Sequence, residues 1–139
     1  MIIFFYIKIL IIYLIKKMQN QIQSDCKTAE NIGLQFLQAF FQKGADISNF
    51  YGNDSILTFE SEVLIGKEDI VSKLKNLQVN TIPTNYSVQP SVNGILIYFS
   101  GSFQIAGEQN QMPFTRCIFL AHNNGSYYIK NDIYKVTFG

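Results

Sequence analysis

Proton transfer in a small pocket needs a carboxylate set against a tyrosine or histidine partner. The sequence offers such groups at Tyr51, Asp69 and Tyr86, but no spacing among them demands a site. The one histidine, His122, stands beside the turn signal Asn123-Asn124-Gly125 and reads as a loop residue outside any pocket. Cys26 and Cys117 follow no metal or redox spacing; they read as a surface or helix-start thiol and a core thiol. The sequence contains no phosphate loop, Gly-rich nucleotide signature or metal-ligand cluster. No catalytic residue, metal ligand or cofactor is expected.

Composition narrows the classes further. The chain has 139 residues, one domain's length, and 47% of them are hydrophobic, enough for a real core. The formal net charge is +1, and no basic stripe is present. That argues against a nucleic-acid binder, which relies on clustered Lys and Arg to meet phosphates. Arg116 is the one arginine, against ten lysines.

The elements that must position any site follow from periodicity. Ile32, Phe36, Leu37, Phe40 and Phe41 recur at helical spacing, so residues 26–42 are expected to form an amphipathic helix. Thr28 or Ser24 is placed to cap its start, and Gly44 to stop it. A short helical turn, Asp46 to Tyr51, precedes a hairpin of residues 55–59 and 62–65. In the next helix, from Gly66, Glu68 and Asp69 come early while Lys73 and Lys75 come late, the order that suits the helix dipole. Ile70, Val71, Leu74 and Leu77 are its buried face. The remainder reads as about four long antiparallel strands, with hairpin signals at Asn93-Gly94 and Asn124-Gly125. Gly101 marks a bend or bulge, and the last strand runs Tyr127 to Phe138. Helices first and strands late give an α+β fold, about three N-terminal helices covering one face of a curved antiparallel sheet. Tyr98, Arg116 and Tyr128 are assigned to the sheet's other face.

Residues 1–17, MIIFFYIKILIIYLIKK, stand apart from the domain expected over 18–139. As a helix, Ile2 to Ile15 reaches about 21 Å, short of a bilayer core of about 30 Å, and Lys8 sits in its middle. No basic start or small-residue cleavage site marks a secretory signal. Three readings remain open: a translated AT-rich leader with Met18 as the working start, a membrane anchor or targeting segment, and a packed helix.

Two stretches carry a family resemblance. YGNDSILTFESEVLIGKEDIVSKL (51–74) resembles the first hairpin and third helix of the nuclear transport factor 2 family. FTRCIFLAHNNGSYYIKNDIYKV (114–136) resembles its last two strands. The NDIY at 131–134 and the Gly-Lys followed by Ile-Val at 66–71 are the most specific pieces, and the likeness covers about residues 28–137. It implies a cone-shaped fold, a homodimer packed sheet to sheet, and a hydrophobic cavity between sheet and helices. In the family's transport member that cavity receives an aromatic side chain of the GTPase Ran in its GDP state. Rim acids pair with Ran lysines, and the dimer touches Phe-x-Phe-Gly repeats of nucleoporins.

Carried over residue by residue, the resemblance assigns partner binding to Phe59, Glu60, Glu108, Met112, Phe114, Ile133 and Tyr134. Phe59 stands where the family usually has a cavity Trp, and Glu60 matches the rim Glu. Ile133 and Tyr134 match the cavity mouth, and Met112 and Phe114 line the same region. Two family aspartates fall at about Gly107 and Gln109, beside a one-residue insertion, so only Glu108 keeps a charge there. The family's repeat-binding Trp falls near Ala29, which weakens nucleoporin binding. Asp132, next to Asn131, is expected as a hydrogen-bonded structural acid at the subunit contact. The resulting expectation is a non-enzymatic carrier of Ran-GDP in cytoplasm, nucleus and nuclear envelope. The alternative is a scaffold or accessory subunit of a membrane-associated complex, in a membrane or organellar location if residues 1–17 are retained; the third is a small-molecule isomerase- or dehydratase-like enzyme, since the fold the resemblance implies also hosts enzymes.

Overall fold

The computed structural model describes residues 1–137, so Phe138, the expected end of the last strand, lies outside the described residues. The order is helix α1 (Ile2–Phe40), a 3-10 turn (Ile47–Phe50), β1 (Tyr51–Phe59), β2 (Glu62–Ile65), α2 (Lys67–Leu77), β3 (Val79–Ser91), β4 (Gly94–Ile105), β5 (Gln111–Asn123) and β6 (Ser126–Val136). The strands form one six-stranded sheet in the order β2-β1-β6-β5-β4-β3.

Helix α1 departs from expectation at its start. It runs unbroken for 39 residues from Ile2, with no side-chain cap. Thr28 does not cap it; its hydroxyl donates back to the Ser24 carbonyl at 3.2 Å, a bond made inside a helix. Cys26 is therefore mid-helix. The first buried side chain is Ala29, followed by Leu37 and Phe40. Gly33 lies against the sheet: a Cβ there would lie 3.0 Å from Val88 Cγ1 and 3.1 Å from Ile97 Cδ1. The large apolar side chains from Met1 to Ile15, together with Met18 and Ile22, are exposed. Among the described residues no helix is long and apolar enough to cross a membrane.

The sheet is mixed, which corrects the expectation of a wholly antiparallel one. β1 pairs with β6 in parallel, Phe59 beside Tyr134 and Leu57 beside Asp132. The other pairings are antiparallel. At the β5–β6 hairpin, Asn124 and Gly125 both take positive φ, 48° and 87°, the turn that Asn-Gly favours. At the β3–β4 hairpin the loop is instead Val92-Asn93, and Gly94 already pairs with Ser91. Gly94 must be glycine for another reason, since a Cβ would fall 2.2 Å from the Leu120 carbonyl. The expected irregularity at Gly101 is present, opposite a register shift between Pro83 and Asn85.

The core fills the concave face of this sheet. Ile95, Ile97, Phe99 and Phe103 of β4, Phe114, Ile118 and Leu120 of β5, and Ile129, Tyr134 and Val136 of β6 are buried against Leu37, Phe40, Ile70 and Val71 of the helices. Gly66 caps α2 with φ 93°, and Glu68 and Asp69 lie in its first turn with Lys75 in its last.

Candidate functional site

Strand parity builds the site. On β5 the inward set is Phe114, Arg116, Ile118 and Leu120, and on β6 it is Asp132, Tyr134 and Val136. Arg116 is thus an inner residue, 3% exposed, and its assignment to the other sheet face is corrected. Asp132 is 1% exposed on the same inner face, not at an outer contact.

Arg116, Asp132 and Tyr51 form one closed network. Arg116 Nε donates to Asp132 Oδ1 at 2.8 Å, and Nη2 donates to Oδ2 at 2.6 Å. Nη2 also donates to the Tyr51 hydroxyl at 2.9 Å, and that hydroxyl donates to Asp132 Oδ2 at 2.7 Å. The guanidinium centre lies 4.6 Å from the Tyr134 ring centroid and 5.3 Å from that of Phe40. Burial alone would lower the Arg116 pKa; the Asp132 carboxylate overrides it and holds the guanidinium above its ordinary value. Burial, and then the Asp132 charge, push the Tyr51 hydroxyl well above its ordinary value.

Arg116, the member of this network that reaches it, forms the floor of a cavity of about 240 Å³ lined from the end of α1, the 3-10 turn, α2, β3, β5 and β6. Phe40, Phe41, Ile47, Leu74 and Val79 give it apolar walls. Tyr134 and Thr81 share a 2.8 Å hydrogen bond on one side. The floor is polar, whereas the resemblance implied a hydrophobic cavity. A deep polar group is what an enzyme would require, yet here both Asp132 oxygens already accept bonds from Arg116 and Tyr51.

Of the seven residues assigned to partner binding, three converge. Phe59, Phe114 and Tyr134 pack together, with ring centroids 5.2 Å (Phe59–Tyr134) and 5.6 Å (Phe114–Tyr134) apart. Tyr134 lines the cavity, Phe59 is half-buried beside it, and Phe114 is core at 1% exposure. Met112 is half-buried at the edge of the same core. Glu60 takes positive φ, 57°, in the β1–β2 turn. Its carboxylate accepts the Val136 amide, so it pins the turn to β6. Glu108 is exposed in the β4–β5 turn. Ile133 does not reach the cavity; the pleat turns it to the convex face, 49% exposed, because it neighbours the inward Tyr134.

The remaining candidates disperse. Asp69 is exposed on α2 and Tyr86 on β3, while Tyr51 is committed to Arg116 and Asp132. His122 belongs to strand β5 and lines an open polar depression with Asp54 and Tyr128, which corrects its placement in a loop outside any pocket. Both cysteines are free; Cys117 is half-buried on the convex face, not in the core. No metal-binding cluster occurs among the described residues.

The Arg116 network was missed, although its signal was available. A lone arginine at an inward position between Phe114 and Ile118 needs an acid partner, and Asp132 stands inward on the neighbouring strand.

A family model, the Nuclear transport factor 2 domain, matches residues 28–136. Nuclear transport factor 2 of Candida albicans is 36% identical over 108 residues, 74% of this chain and 87% of that protein. Its counterpart from Saccharomyces cerevisiae is 34% identical over 115 residues, covering 79% of this chain and 92% of that protein. The solved structure of nuclear transport factor 2 from Cryptosporidium parvum superposes with a TM-score of 0.69 at 30% identity, covering 78% of this chain and 94% of that one. With its cone of curved sheet and helices and its inward cavity, the chain belongs to the nuclear transport factor 2 family.

Proposed function

We propose that this protein is a non-enzymatic, dimeric carrier that binds a Ran-like GTPase in its GDP state and takes it from cytoplasm to nucleus. The observation that carries the reading is the aromatic-walled cavity, about 240 Å³, in a chain whose relatives are named nuclear transport factor 2. A partner's aromatic side chain enters between Phe41, Leu74 and Tyr134, and Phe59 backs the Tyr134 wall. Glu60 and Glu108 supply acidic groups for lysines, and Met112 and Phe114 support the inner face. Rim pairs of this kind are worth less than buried ones, so affinity rests on the cavity. Ala29, 4% exposed, offers no surface at the family's Trp position, and nucleoporin-repeat binding is correspondingly weak. Titration of the purified protein with Ran-GDP tests the reading, with Ran bound to a GTP analogue as control. Saturable binding of the GDP form supports it, and equal or absent binding of both forms sinks it.

A second reading has its own observation. The apolar side chains of Ile2–Ile15 stand exposed around a helix, a surface that water does not tolerate well at this size. We infer from it a scaffold held at a membrane, with residues 1–17 as a peripheral anchor. Recovery of the native protein in the membrane pellet after a salt wash favours the scaffold, and recovery in the supernatant favours the carrier.

A further inference from the structure

We propose that residues 2–15 of α1 insert at a slant into one leaflet of an anionic bilayer, with Lys16 and Lys17 at its headgroups. The inference deepens the reading of residues 1–17 as a peripheral anchor, and rests on that reading only for the segment's use in the cell.

Every residue from Ile2 to Asp25 is exposed, so the domain leaves this segment bare. From Ile2 to Ile15 the side chains are Ile, Leu, Phe and Tyr, except for Lys8. The apolar groups run round the whole helix. Even the face of Lys8, one turn to either side, carries Phe4, Phe5, Ile11 and Ile12. A helix lying flat among headgroups needs a polar stripe, and this segment has none. A second copy of the chain would cover a single seam of the helix and leave the rest in water. Lipid chains cover every side at once.

Length sets the depth. Ile2 to Ile15 is about 21 Å long. One leaflet contributes about 15 Å of hydrocarbon and the whole bilayer about 30 Å. The segment is too long to stand upright in one leaflet and too short to span both, so it enters obliquely. Among the described residues no helix is long and apolar enough to cross. Lys8 opposes entry, but its ammonium reaches back toward the headgroups along its own stem. A single Ile, Leu or Phe favours insertion less than a lysine opposes it. Eleven of them stand here against Lys8.

Charge names the lipid. Lys8, Lys16 and Lys17 are the only charged side chains in residues 1–24. Lys16 and Lys17 close the apolar run at the level of the phosphates, where anionic headgroups attract them. Gln19-Asn20-Gln21 follows, polar and neutral, where the helix leaves the surface. An apolar insert and a basic pair are the two signals that stable anchoring takes.

The chain has no tryptophan, so a single one reports its own depth. The test mixes full-length Tyr6→Trp and Tyr13→Trp proteins with vesicles of phosphatidylcholine, alone or with an equal part of phosphatidylserine. Flotation is expected with the mixed vesicles, and about tenfold or more weaker binding to phosphatidylcholine alone. Bromine near the lipid chain ends should quench the Tyr6→Trp protein more than the Tyr13→Trp protein, and bromine near the headgroups the reverse. Lys16→Gln with Lys17→Gln should remove the phosphatidylserine preference. Ile7→Asp with Ile11→Asp should abolish flotation while circular dichroism shows the domain folded. No flotation with either vesicle overturns the proposal. Equal quenching of both proteins by headgroup bromine, the mark of a flat helix, also overturns it, as does a phosphatidylserine preference that survives loss of the lysine pair. Self-association that deletion of residues 1–17 abolishes, without flotation, gives the segment to a second copy instead. Native protein in the membrane pellet without flotation of the purified protein overturns the insertion alone. Native protein in the supernatant with flotation intact overturns the scaffold reading alone.

Discussion

Arg116 donates two hydrogen bonds to Asp132 in a core where neither is more than 3% exposed. Removing one partner strands the other's charge. Arg116→Leu should lower stability by about 3–5 kcal/mol. Arg116→Leu combined with Asp132→Leu should recover a large part of that, as read from denaturant midpoints. Tyr51 gives a pH prediction with a definite sign. Its folded pKa is raised, so its contribution is full below the unfolded value and is lost as pH rises through the folded one. The wild type should therefore lose stability above about pH 10, and Tyr51→Phe should flatten that alkaline limb in urea melts at pH 8 to 11. Resemblance named seven candidate residues, and the structure brings Phe59, Phe114 and Tyr134 together but sets Ile133 apart. Adjacent positions in a strand point to opposite faces, so Ile133 and Tyr134 were never able to share a cavity. Arg116 was misassigned because its charge was read before its parity.

At the scale of elements, the helix stripe, α2 and the Asn124-Gly125 turn were readable because they are local patterns. The parallel β1–β6 pairing was not, since it joins residues about 75 apart with no turn to announce it. The start of α1 was also hidden. Residues 1–17 and the stripe that follows share one helix, although only the part from Ala29 onward reaches the core. Deleting residues 1–17 should accordingly shift the thermal midpoint by no more than about 2 °C, equivalent to less than 1 kcal/mol. A larger fall would mean that the segment packs on the domain. Gly101 should tolerate nothing larger: a Cβ would lie 1.9 Å from the Ile82 carbonyl and 2.9 Å from Pro83 Cα. Gly101→Ala should cost on the order of 2–3 kcal/mol, visible as an earlier denaturant midpoint.

At the scale of the whole molecule, the convex face matters most. Tyr98 pairs with Cys117 and Cys117 with Ile133, forming a row across three strands, with Leu96 beside Phe119 in the next row. Tyr98 and Ile133 are each 49% exposed and Leu96 is 39% exposed. Such a patch suits a second copy of the chain. Ile133→Asp should convert a dimer to a monomer in analytical ultracentrifugation while leaving the concave cavity intact. The cavity lies on the opposite face of the sheet from this patch. Seating of a GDP-bound Ran-like GTPase in this cavity, as proposed, is tested directly by calorimetric titration with Ran-GDP. Wild type is expected to bind near micromolar Kd, on the order of 8 kcal/mol, and Leu74→Trp to weaken it about tenfold or more. No binding at tens of micromolar, on the order of 6 kcal/mol, or binding that Leu74→Trp leaves unchanged, would contradict it.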